Sequence, residues 1–224
     1  MVSATQFTAM KIPLWTMLLC SIASVIFFVP SLGDAAIFDR DSIVSGEWWR
    51  LITGNLVHLS AMHFISDVLA LFVVGTIIEL RGDRFLALVY CTAGMVIGLV
   101  VFMTSPELRY FGGLSGIVTA AAVYLCLEGL RDTGAWRWLC LFGLVLVAIK
   151  IGLEFMFGQS LLSVTEPHLF VPVPASHLAG ACTALFVFIL TRYKHGIQSL
   201  CERGALAKTS LELPSYKCKG TSRY

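Results

Sequence analysis

One serine stands out by its surroundings. Ser115 comes after Gly112-Gly113-Leu114 and before Gly116, at the start of an apolar stretch with helical character. At a helix start, unpaired backbone N–H groups and the positive end of the helix dipole stabilise a developing oxyanion. Gly113 and Gly116 would also let a substrate backbone approach closely. Taken alone, the pattern fits a helix N-cap with small packing residues better than a nucleophile, so a partner is needed.

A histidine in the last apolar segment could be that partner. Ionisable side chains at membrane depth are costly and usually mark a functional site. Imidazole also suits general-base chemistry near neutral pH, which makes His177 a candidate base. Gly180 and Ala184 follow it in the same segment and would allow close contact with the helix of Ser115. We therefore predict that Ser115 and His177 lie within hydrogen-bonding distance.

The composition is that of a polytopic membrane protein. Of the 224 residues, 57% are hydrophobic and only 13% are charged, and the mean hydropathy is +0.82. The lipid bilayer is thus a partner. The net charge is only +2, and apart from a modest basic C-terminal tail no basic block resembles a nucleic-acid footprint, so no nucleic-acid partner is expected. The seven cysteines lie mostly in apolar segments without a Cys-x-x-Cys pair. They are interpreted as small buried hydrophobic residues, and no metal or cofactor is expected.

Apolar segments predict an all-α membrane domain of six helices over residues 12–191. It follows a short N-terminus of residues 1–11 and precedes a basic tail of residues 192–224. The first segment could be a secretory signal, but a retained span is favoured because several more follow it. The long interruption at residues 31–61 contains a Trp-Trp pair typical of the membrane interface. The expected spans are 12–29, 62–80, 85–103, 115–128, 138–157 and 175–191.

The basic residues predict the orientation of these spans. With six spans, twelve Lys and Arg residues fall on the side of the termini and three on the opposite side. The positive-inside rule then places both termini in the cytoplasm. Ser115, His177 and the pair His63 and Asp67 begin three different spans, and all would lie in the same external half. Convergence of polar residues at one depth favours an active site over separate helix caps.

From about residue 46 to residue 190 the sequence resembles the rhomboid family of intramembrane serine proteases. The elements that carry the resemblance occur in family order on the expected helices. They are Trp49-Arg50, His58 with His63, Gly75-x-x-x-Glu79, Gly113-x-Ser115-Gly116 and His177-x-x-Gly180-x-x-x-Ala184. The resemblance implies a six-helix bundle with a water-filled cavity that opens outward. The expected location is a bacterial inner membrane.

The resemblance also assigns roles. Ser115 would be the nucleophile and His177 the general base of a Ser-His dyad that has no aspartate. His63 and the backbone N–H of Ser115 would line the oxyanion hole. The expected activity is cleavage of single-span membrane proteins near the external membrane boundary. The loop at residues 158–174 and the fifth span are the candidates for substrate entry.

Two positions depart from the family pattern. Asp67 stands where rhomboids usually have an asparagine, and a carboxylate accepts hydrogen bonds but cannot donate one unless protonated. Either burial keeps Asp67 neutral, or it orients His63 as a charged partner and leaves the oxyanion to His63 and the backbone. Thr119 stands where many rhomboids have a tyrosine that stacks on the catalytic imidazole, so His177 is expected to be less firmly held.

The fifth span contains Lys150 and Glu154, one helical turn apart. Inside a membrane such charges must pair or face water. The arrangement is similar to the rhombosortase branch of rhomboids. These bacterial enzymes process proteins with a C-terminal Gly-Gly, hydrophobic helix and basic tail. The alternative, given equal weight, is that Lys150 and Glu154 only neutralise each other as an ion pair near the helix end.

Three functions other than a serine protease each explain part of the sequence. A metalloenzyme could use His58, His63, Asp67 and His177, but the His-Glu-x-x-His motif of membrane zinc proteases is absent. A transporter would explain the intramembrane charges but not the pairing of the serine motif with a distant histidine. A catalytically inactive rhomboid-like protein that binds transmembrane segments is the main rival, supported by the lost asparagine.

Overall fold

The computed structural model describes residues 12–157 and 173–211, with side chains described as far as Tyr193. The predicted N-terminus (1–11), most of the predicted entry loop (158–172) and the end of the basic tail (212–224) lie outside the described residues. The chain divides into two compact units, Met1–Phe188 and Ile189–Tyr224. The first unit contains every residue of the candidate site. The described part of the second unit is helical.

Helices dominate the described residues. The first helices in chain order are α1 (Leu14–Phe28), α2 (Pro30–Ala36), α3 (Arg40–Val44) and α4 (Arg50–Thr53), with a 3₁₀ turn at Gly54–Leu56. The longer helices that follow are α5 (Ala61–Leu80), α6 (Leu86–Thr104), α7 (Ser115–Gly129), α8 (Ala135–Phe157) and α9 (Pro174–Leu211). Two short strands, β1 (Phe38–Asp39) and β2 (Tyr110–Phe111), pair antiparallel with Phe38 opposite Phe111.

Four of these helices are long and apolar enough to cross a membrane, namely α5, α6, α8 and the Pro174–Tyr193 part of α9. A fifth candidate is α1 with α2, which are bent by 109° at a break. Pro30 explains the break, because it lacks an N–H to continue α1 and suits the first position of a new helix. The apolar helix α7 has 15 residues and is shorter than a full span. The all-α membrane bundle is confirmed, while the count of six spans stays a prediction.

A polar side chain fixes the loop between α1 and α5 to the end of α6. The Arg40 guanidinium donates to the carbonyls of Leu108, Phe102 and Ser105 at 3.1, 2.9 and 2.8 Å. Phe102 lies in the last turn of α6, where a carbonyl group has no N–H donor within the helix, and Arg40 supplies that donor. Together with the β1–β2 pair, this contact holds the segment that leads into Ser115.

The two side chains of the Trp49-Arg50 motif have different surroundings. Arg50 bonds the Glu47 carboxylate at 2.5 Å and donates to the carbonyls of Asp34 and Ile37, both at 2.8 Å. Trp49 points outward with 53% of its surface exposed. Arg50 therefore fixes the loop through its carbonyl groups, whereas the role of the Trp pair as an interfacial anchor stays a prediction.

The core lies around α7, which packs against α5, α6 and α8. Its middle is built from small residues, and Ala120, Ala121 and Tyr124 are completely buried. The hydroxyl of Tyr124 donates to the carboxylate of Asp83 at 3.0 Å. Small side chains allow helices to approach closely where apolar burial alone does not drive association. This packing places the first residue of α7, Ser115, among neighbouring helices.

Glu79 joins α5 to the start of α1. Its carboxylate accepts from the backbone N–H groups of Trp15 and Thr16 at 3.2 and 2.8 Å, and from the Thr16 hydroxyl at 2.7 Å. These N–H groups belong to the first turn of α1 and have no acceptor within the helix. The Gly75-x-x-x-Glu79 motif thus has a structural role, because a Cβ at Gly75 would collide with Thr16 and Tyr90.

Replacement of Glu79 by Ala should lower the stability of the bundle. Loss of hydrogen bonds to a charged acceptor, with donors left unsatisfied, typically costs about 2–3 kcal/mol. Thermal unfolding in detergent micelles, followed by circular dichroism, measures this as a lower midpoint. Glu107→Ala, at an exposed loop position, is the matched control and should leave the midpoint unchanged. Equal midpoints for the two variants would contradict the capping role.

Candidate active site

The structure brings Ser115 and His177 together. Ser115 is the first residue of α7, and His177 lies in the first turn of α9. The Ser115 Oγ atom lies 3.0 Å from His177 Nε2. His177 is buried with 4% of its surface exposed, whereas Ser115 is half-buried. A hydroxyl in contact with a buried imidazole at a helix start is a geometry in which the imidazole can accept the hydroxyl proton.

Small residues make this contact possible. A Cβ at Gly180 would collide with the carbonyl oxygen of Gly116, and a Cβ at Gly116 would lie 3.1 Å from the carbonyl oxygen of Ser176. Ala184, one turn beyond Gly180, is completely buried. The backbones of α7 and α9 therefore touch at these two glycines. This close approach puts the serine and the histidine within hydrogen-bonding distance.

A third polar side chain reaches His177 from α8. Glu154 Oε2 lies 2.5 Å from His177 Nδ1, and Glu154 is completely buried. Lys150 Nζ lies 2.7 Å from the other carboxylate oxygen, Oε1, and 3.1 Å from His177 Nδ1. The sequence identified Lys150 and Glu154 as an intramembrane pair, but it did not connect them to His177. Their one-turn spacing in an apolar segment was the only signal.

His58, His63 and Asp67 form a second cluster. Asp67 Oδ2 lies 3.1 Å from His63 Nε2 and 3.3 Å from His58 Nε2. His58 Nε2 is also 3.3 Å from the backbone nitrogen of Leu114. Gly113 has a φ of +134°, and a Cβ there would come within 2.5 Å of His63 Cε1. The cluster thus packs against the two residues that precede Ser115.

The sequence left two roles open for Asp67, namely a neutral carboxyl kept so by burial or a charged partner that orients His63. The Oδ2 atom of Asp67 faces both imidazoles, and it would lie 3.7 Å from a Cβ at Gly113. The backbone N–H groups of Ser115 and Gly116 belong to the first turn of α7, where no intrahelical acceptor exists. They are donors suited to an oxyanion next to the Ser115 hydroxyl. Asp67 contacts His63 Nε2 at 3.1 Å, and its role as an orienting partner stays a prediction.

Thr119 lies one turn after Ser115 and faces its own helix. Its hydroxyl donates to the carbonyl oxygen of Ser115 at 2.8 Å. Where many rhomboids have a tyrosine that stacks on the imidazole, this chain has a side chain tied to its own backbone. The contacts that hold the His177 ring come from α8 and from Ser115.

The metalloenzyme alternative required His177 to share a site with His58, His63 and Asp67. Among the described residues, no group of three or more His, Cys, Asp or Glu side chains is arranged to hold a metal ion. The imidazole of His177 instead contacts a hydroxyl and a carboxylate. The described cysteines are all free thiols.

The fold and the site together define a multi-pass membrane protein with a serine and a histidine in contact at a helix start. A family model described as the Rhomboid domain matches residues 45–194, which is more than half of the chain. The protein belongs to the rhomboid family. Members of this family are generally intramembrane serine proteases that act on transmembrane substrates. The resemblance drawn from the sequence is thereby confirmed at the level of the family, while the rhombosortase branch remains a prediction.

The contact between α7 and α9 predicts unequal effects of the same substitution at two helical glycines. Gly180→Ala places a methyl group against the Gly116 carbonyl, and such overpacking typically costs about 1–3 kcal/mol. Gly152→Ala on α8 meets nothing within 4 Å and should be neutral or slightly stabilising. Unfolding midpoints in detergent measure both effects. A Gly180→Ala protein as stable as Gly152→Ala would show that α7 and α9 do not need to touch.

Proposed function

We propose that this protein is an intramembrane serine endopeptidase that cleaves single-span membrane proteins near the external membrane boundary. The observation that carries the proposal is the 3.0 Å contact between Ser115 Oγ and His177 Nε2. Membership of the rhomboid family supports it. The positive-inside count supports an orientation with both termini in the cytoplasm of a bacterial inner membrane and the site in the external half.

The reaction follows from the positions of the two side chains. Ser115 Oγ attacks the scissile carbonyl carbon while its proton passes to His177 Nε2. The carbonyl oxygen takes up the negative charge, and the C–N bond breaks as His177 returns the proton to the leaving amine. Water then attacks the acyl-enzyme ester by the same route in reverse and restores both residues. Because the hydrocarbon region of a bilayer supplies no water, the reaction requires a hydrated path to the external side.

The oxyanion is assigned to the start of α7. The backbone N–H groups of Ser115 and Gly116 lie next to the attacking oxygen, and the helix dipole adds favourable potential there. His63 supports this region through its contact with Gly113. Asp67 contacts His63 at its Nε2 atom, whereas His58 Nε2 accepts a hydrogen bond from the backbone N–H of Leu114. In this assignment Asp67 has an orienting role and does not itself donate to the oxyanion.

The Gly-Gly-tailed proteins processed by rhombosortases are the first substrates to test. The reason is the intramembrane pair Lys150 and Glu154, which resembles that branch of the family. A model substrate with Gly-Gly, a hydrophobic helix and a basic tail should be cleaved upstream of its helix. The same substrate with Val-Val in place of Gly-Gly serves as its control. Equal cleavage of both would favour a general rhomboid over a rhombosortase.

Labelling with a fluorescent fluorophosphonate tests the activated serine without knowledge of the substrate. The purified wild-type protein in detergent should be labelled, and Ser115→Ala and His177→Ala should each abolish labelling, because one removes the nucleophile and the other its base. The hydroxyl of Ser24 donates to the Cys20 carbonyl of its own helix, so Ser24→Ala is the matched serine control and should label normally. A folded wild-type protein that takes up no label would favour the inactive binding protein.

Asp67→Asn separates the two possible roles of the carboxylate. If Asp67 orients His63 as a charged partner, the neutral amide weakens that contact because it removes the negative charge, and we expect the labelling rate to fall about tenfold. The rate constant for labelling, measured at saturating probe, reports this change. Unchanged or faster labelling would show that position 67 serves the oxyanion directly, as the asparagine of other rhomboids does.

A further inference from the structure

We propose that Glu154 is a positioning residue for His177, so that Ser115, His177 and Glu154 form a hydrogen-bonded triad with its carboxylate supplied by α8. The inference rests on the proposed serine-protease function and extends it beyond a dyad. Among the described residues, the hydrogen-bond partners of the Glu154 carboxylate are His177 and Lys150. Glu154 therefore acts on the reaction through the imidazole.

The distance between Glu154 and His177 requires a proton between them. Two lone pairs repel at the 2.5 Å that separates Oε2 from Nδ1, so a hydrogen must lie on that line. The Lys150 ammonium faces Oε1 at 2.7 Å, which favours the ionised carboxylate. The proton is therefore assigned to Nδ1 of His177. The Nε2 atom then carries a lone pair directed at the Ser115 hydroxyl, which is the tautomer that a general base needs.

The same assignment explains the position of Lys150. Since Nδ1 carries a proton, it cannot accept a hydrogen bond from the ammonium that lies 3.1 Å away. The ammonium is held by Glu154 Oε1, while Glu154 Oε2 holds the imidazole. Each oxygen of the carboxylate thus has its own partner, which fixes the plane of the carboxylate and, through it, the orientation of the ring.

Both side chains of the contact between Glu154 and His177 are buried. The side chain of Glu154 is 0% exposed and that of His177 is 6% exposed. In such surroundings water does not compete for the carboxylate, and electrostatic stabilisation of a developing imidazolium is stronger than at a surface. The imidazolium forms when His177 takes the serine proton. A buried carboxylate at its other nitrogen stabilises that state during the reaction.

A purely structural role for Glu154 makes a different prediction from the triad. If Glu154 only neutralises Lys150 within the membrane, removal of both charges should restore stability and reactivity together. If Glu154 positions His177, removal of both charges should restore stability but leave the serine unreactive. The variants are Glu154→Gln alone and Glu154→Gln combined with Lys150→Met.

The first experiment measures fluorophosphonate labelling and thermal unfolding for these variants. The probe gives a maximal labelling rate and a half-saturating concentration. For Glu154→Gln we expect the maximal rate to fall about 100-fold or more and the half-saturating concentration to change less than about twofold. The double variant should regain the wild-type unfolding midpoint and keep the low labelling rate. Glu107→Gln, at an exposed loop position, controls for charge removal and should label like the wild type.

Recovery of the labelling rate in the double variant to within about threefold of wild type would overturn the positioning role and leave a simple ion pair. A wild-type protein that takes up no label overturns the proposed protease function itself. The two failures are distinguishable, because the first requires a wild type that labels and the second does not.

The second experiment reads the tautomer directly and needs no activity. Nitrogen-15 spectra of protein labelled at its five histidines, prepared in the Ser115→Ala background, distinguish protonated from unprotonated ring nitrogens. The His177 signals are identified by their loss in His177→Gln. We expect Nδ1 protonated and Nε2 unprotonated with Glu154 present, and a shift toward the opposite tautomer in Glu154→Gln. An unchanged His177 tautomer in Glu154→Gln would contradict the inference whatever the labelling shows.

Discussion

The contact between the backbones of α7 and α9 at Gly116 and Gly180 is the constraint on which the site depends. No side chain fits between the two glycines. Only at this separation can a residue at the start of α7 meet a residue in the first turn of α9. The site is therefore formed by the packing of two helices. The β1–β2 pair and Arg40 only hold the segment that leads into Ser115.

Intramembrane carboxylates join separate elements of this bundle. Glu79 of α5 binds the first turn of α1, and Asp67 of the same helix contacts His58 in the preceding loop. Glu154 of α8 contacts His177 of α9. A carboxylate without partners is costly in a low-dielectric environment, so each of these contacts also constrains the relative position of two elements. The carboxylate contacts that hold the fold and those at the candidate site thus have the same cause, which is the cost of leaving a buried carboxylate without partners.

The sequence predicts most of the long helices and the family, but it does not predict the features that depend on packing between helices. Long apolar runs with polar ends predicted α5, α6 and α8 to within about three residues, and α7 begins at Ser115 as expected. The Rhomboid domain match confirmed the family. The short length of α7 and the bend at Pro30 depend on packing and local geometry, which hydropathy does not report. Helical periodicity placed Lys150 and Glu154 on one face but could not say which neighbouring helix that face meets.

The outer surface of α8 is rich in exposed apolar side chains, including Phe142 and Ile149, whereas Glu154 is one of the few buried residues at the end nearest the site. Displacement of this end of α8 from the bundle would remove the carboxylate from the imidazole and expose a charged pair to hydrocarbon. The bilayer would therefore act as a restoring force on the helix. Under the proposed function, the lateral position of α8 and the reactivity of Ser115 would change together.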